Sequence, residues 1–519
     1  MWRHSGTAVL FIAGLLLGLL PSTSFAIPAF SRQYGTSCST CHVDFPKLND
    51  FGKAFKDAGF KFPKDDETFI KIPPVMLGAP AQAEMWPHTI FPGTIPGLPP
   101  IGLRFNTFFQ VVSSNRNNFN LQSPSDPTAP FIPQTDFQSG FFSIFMAGNF
   151  GSDIAFWVDD DISVSGANAN GGLGDGYLKF VNIGRFLKLP TDALSMRIGQ
   201  FELDLPFSQA RSWNLSGWDI YSQTNVGIPG QQNVNNLFSL EDAAQGVEFS
   251  GGHQYGGYHY SLALVNQNTS GNTANGNNVP PMVAYTSDSN FKDLYARLSY
   301  RFNLERDPAS RKEIQAAGAA GPRDHTYLSF GTLYFYGRSV QRFAGETAGG
   351  GTPVLTAREP FYRVGGDFSF NYRTFNLFGQ YVHGHDMNLL PLVPAGFMAP
   401  SSFLRGSPAT FNGGFIEADY LALPWVMTIM RWDEVNSAAD RINGIGSTPD
   451  TDPGAFVSPF RNARSRFTPG VQFLIHANIK ASFEYQLRPQ QVVYDTVTLK
   501  ALTNPFRTNS AVAGLEWVY

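Results

Sequence analysis

The sequence predicts a mainly β fold, an outer-membrane type antiparallel β-barrel of about 16 strands, preceded by a small α-helical segment. Three observations carry the prediction. From Ile101 onward apolar residues recur with period two, the spacing of strands that turn one face to an apolar surrounding. Charged residues make up 15% of the chain and aromatic ones 14%, whereas ordinary soluble domains hold about 25% charged residues. After residue 26 no stretch approaches the roughly 18 uninterrupted apolar residues of a membrane helix.

The elements follow in chain order. Trp2-Arg3-His4, the apolar stretch Ala8 to Leu20 and the small-x-small site Ser24-Phe25-Ala26 have the layout of a secretory signal peptide over 1–26. An uncleaved anchor is the alternative, disfavoured by the short apolar stretch. Next comes Cys38-Ser39-Thr40-Cys41-His42, which contains the only two cysteines of the chain. C-x-x-C-H is the spacing that attaches a c-type haem: two thiols make thioethers to one porphyrin and the adjacent imidazole ligates the iron. The other reading is a C-x-x-C redox disulfide, which would call for a βαβ setting. Two cysteines are too few for a zinc or iron–sulfur site of the usual kind. Leu48, Phe51, Phe55 and Ala58 or Gly59 lie on one stripe of a short helix beginning at Pro46. That stripe reads as the wall of a haem crevice or as an ordinary small core.

A Pro-rich linker over 73–100 separates this 27–72 segment from a barrel over 101–519. Strands are expected at Ile101–Val112, Phe141–Phe150, Asp153–Val164, Asp175–Ile183, Met196–Leu205, Gly246–His253, Tyr258–Val265, Asp293–Phe302, Tyr327–Gly337, Phe415–Leu423, Trp425–Val435 and Ser510–Tyr519. Hairpins over Tyr362–His383 and Val471–Arg488, the latter turning near Asn478, bring the total to about 16. Long loops such as Pro206–Gln245 alternate with short turns. The chain stops on a strand whose alternate residues are Ala511, Ala513, Leu515, Trp517 and Tyr519. A large soluble β-protein is the competing reading of the same alternation.

The residues Ile27 to Gly35, Cys38 to His42 and Phe45 to Lys56 resemble the N-terminus of the fused monohaem cytochrome–porins, a family of outer-membrane proteins. The resemblance implies a 27–72 monohaem c-type cytochrome segment with one covalent haem c on Cys38 and Cys41, ahead of the barrel. It further implies an electron-transfer function, some members oxidising extracellular Fe(II). The partners would be outer-membrane lipid, an extracellular donor such as Fe(II), and a periplasmic electron-carrier cytochrome, in a Gram-negative bacterium.

His42 then needs a partner across the iron. Met76, in a proline-bounded segment just beyond the motif, is the first choice; Met85 and His88 are close competitors, with Met146 and Met196 on barrel strands behind them. Methionine would raise the reduction potential relative to a second histidine. Asp159 and Asp161, with Asp160 between them, are candidates for a lumenal cation path, as is Asp65-Asp66-Glu67; a solvated strand end is the simpler reading. The net charge of −4 gives no reason to expect nucleic acid. No G-x-S-x-G, P-loop, dinucleotide or H-E-x-x-H motif occurs. Enzymatic activity, if any, would be that of an Fe(II) oxidase. A diffusion porin with a haem-bearing plug, or electron export, are the alternative functions.

Overall fold

The computed structural model describes residues 29–44, 46–62, 66–78, 80–85, 94–95, 97, 100–112, 134–151, 153–163, 172–208, 214–222, 243–266, 291–304, 326–344, 354–386, 409–437, 464–487 and 509–519. The predicted signal peptide and His88 lie outside these residues.

The N-terminal segment folds as short pieces. Helix α1 (Ala29–Tyr34) leads to a single 3-10 turn at Cys38–Thr40, and a tight hairpin follows, β1 (His42–Asp44) and β2 (Lys47–Leu48). Helix α2 spans Asp50–Asp57 and α3 spans Asp66–Phe69. The expected helix start at Pro46 is therefore four residues early. Pro46 sits in the β1–β2 turn, and Asn49 caps the helix by accepting from Gly52 N at 2.9 Å, the ordinary way an Asx side chain starts a helix. The linker is not featureless: β3 (Val75–Met76) pairs with β4 (Thr94–Ile95), and α4 spans Pro80–Met85.

Sixteen strands then close into one antiparallel barrel. They are β5 (Ile101–Val112), β6 (Gln134–Phe150), β7 (Ile154–Ser163), β8 (Gly172–Phe180), β9 (Ser195–Phe201), β10 (Ala244–Gly252), β11 (Gly257–Val265), β12 (Asp293–Asn303), β13 (Tyr327–Ala344), β14 (Val354–Tyr372), β15 (Phe375–Asp386), β16 (Ala409–Leu423), β17 (Val426–Ser437), β18 (Arg464–His476), β19 (Ile479–Gln486) and β20 (Ser510–Val518). Each pairs with the next, and β20 pairs with β5. All sixteen expected strands are present, and the β18–β19 turn falls at Ala477-Asn478.

The alternation runs opposite to that of a soluble protein. On β12 Asp293, Tyr295, Arg297 and Arg301 are buried, while Leu298, Tyr300 and Phe302 are exposed. On β19 Lys480, Ser482 and Glu484 are buried, while Phe483 and Tyr485 are exposed. Large apolar side chains outside and charges inside suit a wall facing hydrocarbon around a polar lumen, and a closed barrel leaves no unpaired strand edge in the lipid. The soluble reading fails on this point. The protein lies in the outer membrane of a Gram-negative bacterium. Short turns such as Arg373-Thr374 gather at one end together with the C-terminus, where Tyr519 N donates to Leu103 O at 2.7 Å. By the usual disposition of such barrels this end is periplasmic and the long-loop end extracellular.

Candidate haem site inside the barrel

The C-x-x-C-H turn is held from below by one residue. Asn49 N donates to Cys41 O at 2.9 Å and its Nδ2 donates to Thr40 O at 3.1 Å, while Oδ1 caps α2. Helix α2 crosses the motif at Gly52, where an added Cβ would lie 2.1 Å from Cys41 O. Only glycine allows that approach.

His42 Nδ1 lies 3.1 Å from Pro46 O. A carbonyl only accepts, so Nδ1 carries the proton and Nε2 is the basic nitrogen of the neutral ring. Burial pushes the imidazole down to about 4, so the ring is neutral at physiological pH. Backbone orientation of the far nitrogen is the usual support for a metal-bound histidine.

Cys38 and Cys41 are not bonded to each other. Burial raises both thiols, with Cys38 adding to the effect at Cys41, which reaches about 12. A redox C-x-x-C needs the opposite, a thiolate stabilised at neutral pH. Two protonated thiols three residues apart and a neutral, oriented imidazole fit covalent haem attachment.

The segment sits in the lumen as a plug. Phe51, Phe55, Phe60, Phe62 and Tyr34 form its core together with the wall residues Ala147 and Ala155, and Phe60 lies 5.6 Å from Trp157, ring to ring. The expected Phe stripe is thus buried, though Phe60 and Phe62 beyond α2 contribute as much as Phe51 and Phe55. Polar contacts pin the plug near the periplasmic end. Arg301 grips Asp50 through two bonds of 2.7 Å and lies 3.6 Å over the ring of Tyr327. Lys179 Nζ donates to Asp57 O at 3.2 Å, and Arg32 Nη2 donates to Ile101 O at 2.7 Å. Lys47 lies 3.6 Å from Asp419.

Above the plug, part of the loop expected at Pro206–Gln245 turns inward rather than out to the surface. Trp218 stacks on Phe415 at 4.7 Å and donates Nε1 to Glu417 at 2.9 Å. Asn214 shares Glu417, Ser216 donates to Glu484, and the short helix α5 (Asp219–Ser222) meets Arg466 through Asp219 at 2.9 Å. A cavity of about 280 Å³ lies between plug and loop, bordered by Lys53, Lys56, Lys179, Arg197, Trp218 and His259. The inward loop was missed from the sequence. Its signal was Trp218 within a polar loop, a side chain that rarely stays in water, opposite arginines and carboxylates on barrel strands.

The remaining candidates divide clearly. Met76 lies on the β3–β4 ribbon with its side chain 49% exposed, and Met85 is 67% exposed. Met146 is exposed next to the inward Ala147, and Met196 lies beside the inward Arg197, so both point outward to lipid, away from the lumen. Asp159 faces inward as expected but accepts from Trp157 Nε1 and Asp175 N at a register shift between β7 and β8. Asp160 is exposed and the side chain of Asp161 is outside the described residues. Asp66 accepts from Tyr34 at 2.8 Å and Phe62 N at 2.6 Å, holding the plug together. Among the described residues no cluster of three or more acidic, histidine or cysteine side chains could hold a metal ion.

No family model and no curated protein sequence matches the chain. Among solved structures, the outer membrane channel DcaP of Acinetobacter baumannii is similar with 11% identity, covering 81% of this chain and 96% of that one, TM-score 0.45. OprB of Pseudomonas putida has 9% identity over 81% and 94%, TM-score 0.45. OmpF of Salmonella typhi has 9% identity over 81% and 97%, TM-score 0.41. Likeness at this level carries nothing about traffic or partners.

Proposed function

We propose that the protein is an outer-membrane electron conduit: one c-type haem, attached through Cys38 and Cys41 with His42 as proximal ligand, takes electrons from an extracellular donor, Fe(II) by the family resemblance, and passes them to a periplasmic carrier. In this reading residues 1–26 are a signal peptide, 27–72 the cytochrome segment, 73–100 its linker and 101–519 the barrel.

The observation that carries the proposal is the oriented His42 beside two raised thiols, inside a lumen packed from both ends. When bound, the haem supplies one-electron exchange at iron. The chain does the rest. Pro46 O fixes the imidazole, Asn49 and Gly52 seat the attachment turn on α2, and the aromatic core keeps water from that side of the turn. Met76 is the proposed second axial ligand: Val75, Met76 and Leu77 form an apolar run 49% to 56% exposed, a surface suited to being covered by a porphyrin.

A diffusion porin needs an open lumen. The plug bonded to Arg301, Lys179 and Ile101, and the inward loop bonded to Glu417, Glu484 and Arg466, favour electrons as the traffic. Two measurements test this on protein matured with haem in proteoliposomes. Fe(II) added outside should reduce the haem, and the haem should titrate at a strongly positive potential. Sugar-driven swelling of the same vesicles without Fe(II)-dependent reduction would select the porin instead, and a strongly negative potential would select export.

A further inference from the structure

We infer that the periplasmic turn between β8 and β9 is a lipid-binding flange, in which Phe186, Leu187 and Leu189 enter the inner leaflet and Arg185 and Lys188 hold the phosphate of an anionic phospholipid headgroup. The inference is independent of the haem reading and rests on where this turn lies.

The turn is folded, not slack. Its 3-10 segment Ile183–Leu187 is flanked by Asn182 and Lys188, both left-handed at φ 55 and 59. Gly184 N donates to Leu194 O at 3.2 Å, Leu189 N to Gly184 O at 3.0 Å and Ala193 N to Pro190 O at 3.1 Å. Its far arm is laid on the outside of the barrel. Tyr260 lies on the outward face of β11, between the inward His259 and Ser261, and its hydroxyl donates to Ala193 O at 2.7 Å. Gly251, outward on β10, permits the approach: an added Cβ there would lie 2.1 Å from Ala193 O.

The flange therefore continues the lipid-facing wall, whose nearest outward residues, Leu178 on β8 and Ile198 on β9, are themselves exposed and apolar. Phe186 is 75% exposed and Leu187 67%, more than almost any other large apolar side chain described. Water is a poor neighbour for such a pair, whereas the headgroup–acyl boundary accepts aromatic and aliphatic side chains with cations beside them. Arg185 reaches back to Asp153 at 2.7 Å and covers the ring of Phe186 at 4.9 Å. Lys188 is exposed on the same turn. Asp153, paired with Arg185, and Asp192, 3.9 Å from His253, offset part of this charge, so the complement to an anionic headgroup lies in Lys188 and in the guanidinium that Arg185 shares with Asp153, beside the apolar wedge. Periplasmic proteins and a second copy of this chain are the competing occupants.

The test uses the full-length protein in nanodiscs of phosphatidylcholine with phosphatidylglycerol. A Phe186→Trp variant should add fluorescence, relative to wild type, that is quenched by lipids brominated high on the acyl chain and shielded from acrylamide. In native mass spectrometry Arg185→Gln/Lys188→Gln should retain severalfold less phosphatidylglycerol than wild type. Acrylamide quenching without bromolipid quenching overturns the inference, as does unchanged phosphatidylglycerol retention. Shielding from both quenchers together with a dimeric or larger mass would assign the flange to a contact between copies and likewise overturn it. Both variants alter exposed side chains of a turn, and heat-modifiable gel mobility reports that the barrel has formed.

Discussion

The barrel and the plug are stabilised in different ways. Every barrel strand is bonded on both sides along its length, and the β13–β14 register alone runs from Tyr327↔Asn371 to Ala344↔Val354. Removing one side chain leaves such a ladder closed. The plug has pieces of four to eight residues, too short to be stable as isolated helices. Its position depends on one aromatic core and a handful of contacts to the wall. Repetition protects the barrel, whereas the plug concentrates its stability, and its chemistry, in single residues.

Single changes in the plug are therefore expected to act on the plug while the barrel stays formed. Changing Cys38 and Cys41 together to alanine should abolish covalent haem, read as haem staining after denaturation and acid–acetone extraction, while barrel mobility on gels stays native. Surviving covalent haem would break the assignment. The next largest effect is expected at Asp50. Both its oxygens are bonded to Arg301, and both side chains are nearly fully buried, so Asp50→Ala strands a buried guanidinium. Removing one partner of such a pair costs about 3–5 kcal/mol. Protease sensitivity of residues 27–72 in detergent should rise steeply, whereas Asp50→Ala/Arg301→Met should recover much of the protection.

The same division governs what the sequence made legible. A strand that faces lipid on one side and the lumen on the other writes its period into consecutive residues, so Gln472, Lys480, Ser482 and Glu484 could be assigned to the polar face without knowing their partners. The identity of those partners is not local. Nothing near Glu417 or Glu484 announces that Trp218 and Ser216 will descend onto them from a loop 199 and 268 residues away in the chain. At the plug, Cys38, Cys41 and His42 stood out in the sequence as a C-x-x-C-H run, the spacing that the proposed haem attachment requires. The start of α2 did not stand out: Pro46 is a good first helical residue, but it is retained by the β1–β2 turn while Asn49 provides a better cap. Met146 and Met196 could not be placed on one face from the sequence, because the phase of a strand has to be set against the closed barrel before an inward residue can be told from an outward one.

Acid should sharpen the contrast next. In the haem-free Cys38→Ala/Cys41→Ala protein, burial holds His42 at about 4 against 6.5 for an ordinary histidine. Between these values the unfolded chain binds a proton that the folded plug does not, so plug stability rises with pH across this window and is lost as pH falls from about 6.5 to about 4. At about 1.36 kcal/mol per pH unit the effect is capped near ~3 kcal/mol. Protease protection of 27–72, followed against pH, should show this slope, and His42→Gln should flatten it. A slope that persists in His42→Gln would place the titrating group elsewhere.

The smallest expected effect separates seating from attachment. Asn49 ties the C-x-x-C-H turn to α2 by three hydrogen bonds, of which the side chain makes two, one to Thr40 O and one from Gly52 N. Losing an N-cap costs about 1 kcal/mol, and an unmet carbonyl adds a comparable amount, so Asn49→Ala should weaken the plug by about 1–2 kcal/mol. Asn49→Asp keeps the cap but not the donor to Thr40, and should fall between alanine and wild type. Haem would still attach in both variants, because the thiols and imidazole are unchanged, but the attachment turn would be less firmly seated. The expected signature is near-normal covalent haem with faster proteolysis of 27–72 and a broadened redox titration. If alanine and aspartate variants behave alike, the tie to Thr40 O, not the cap, holds the turn in place. If neither differs from wild type, the aromatic core around Phe51 and Phe55 is sufficient to seat it.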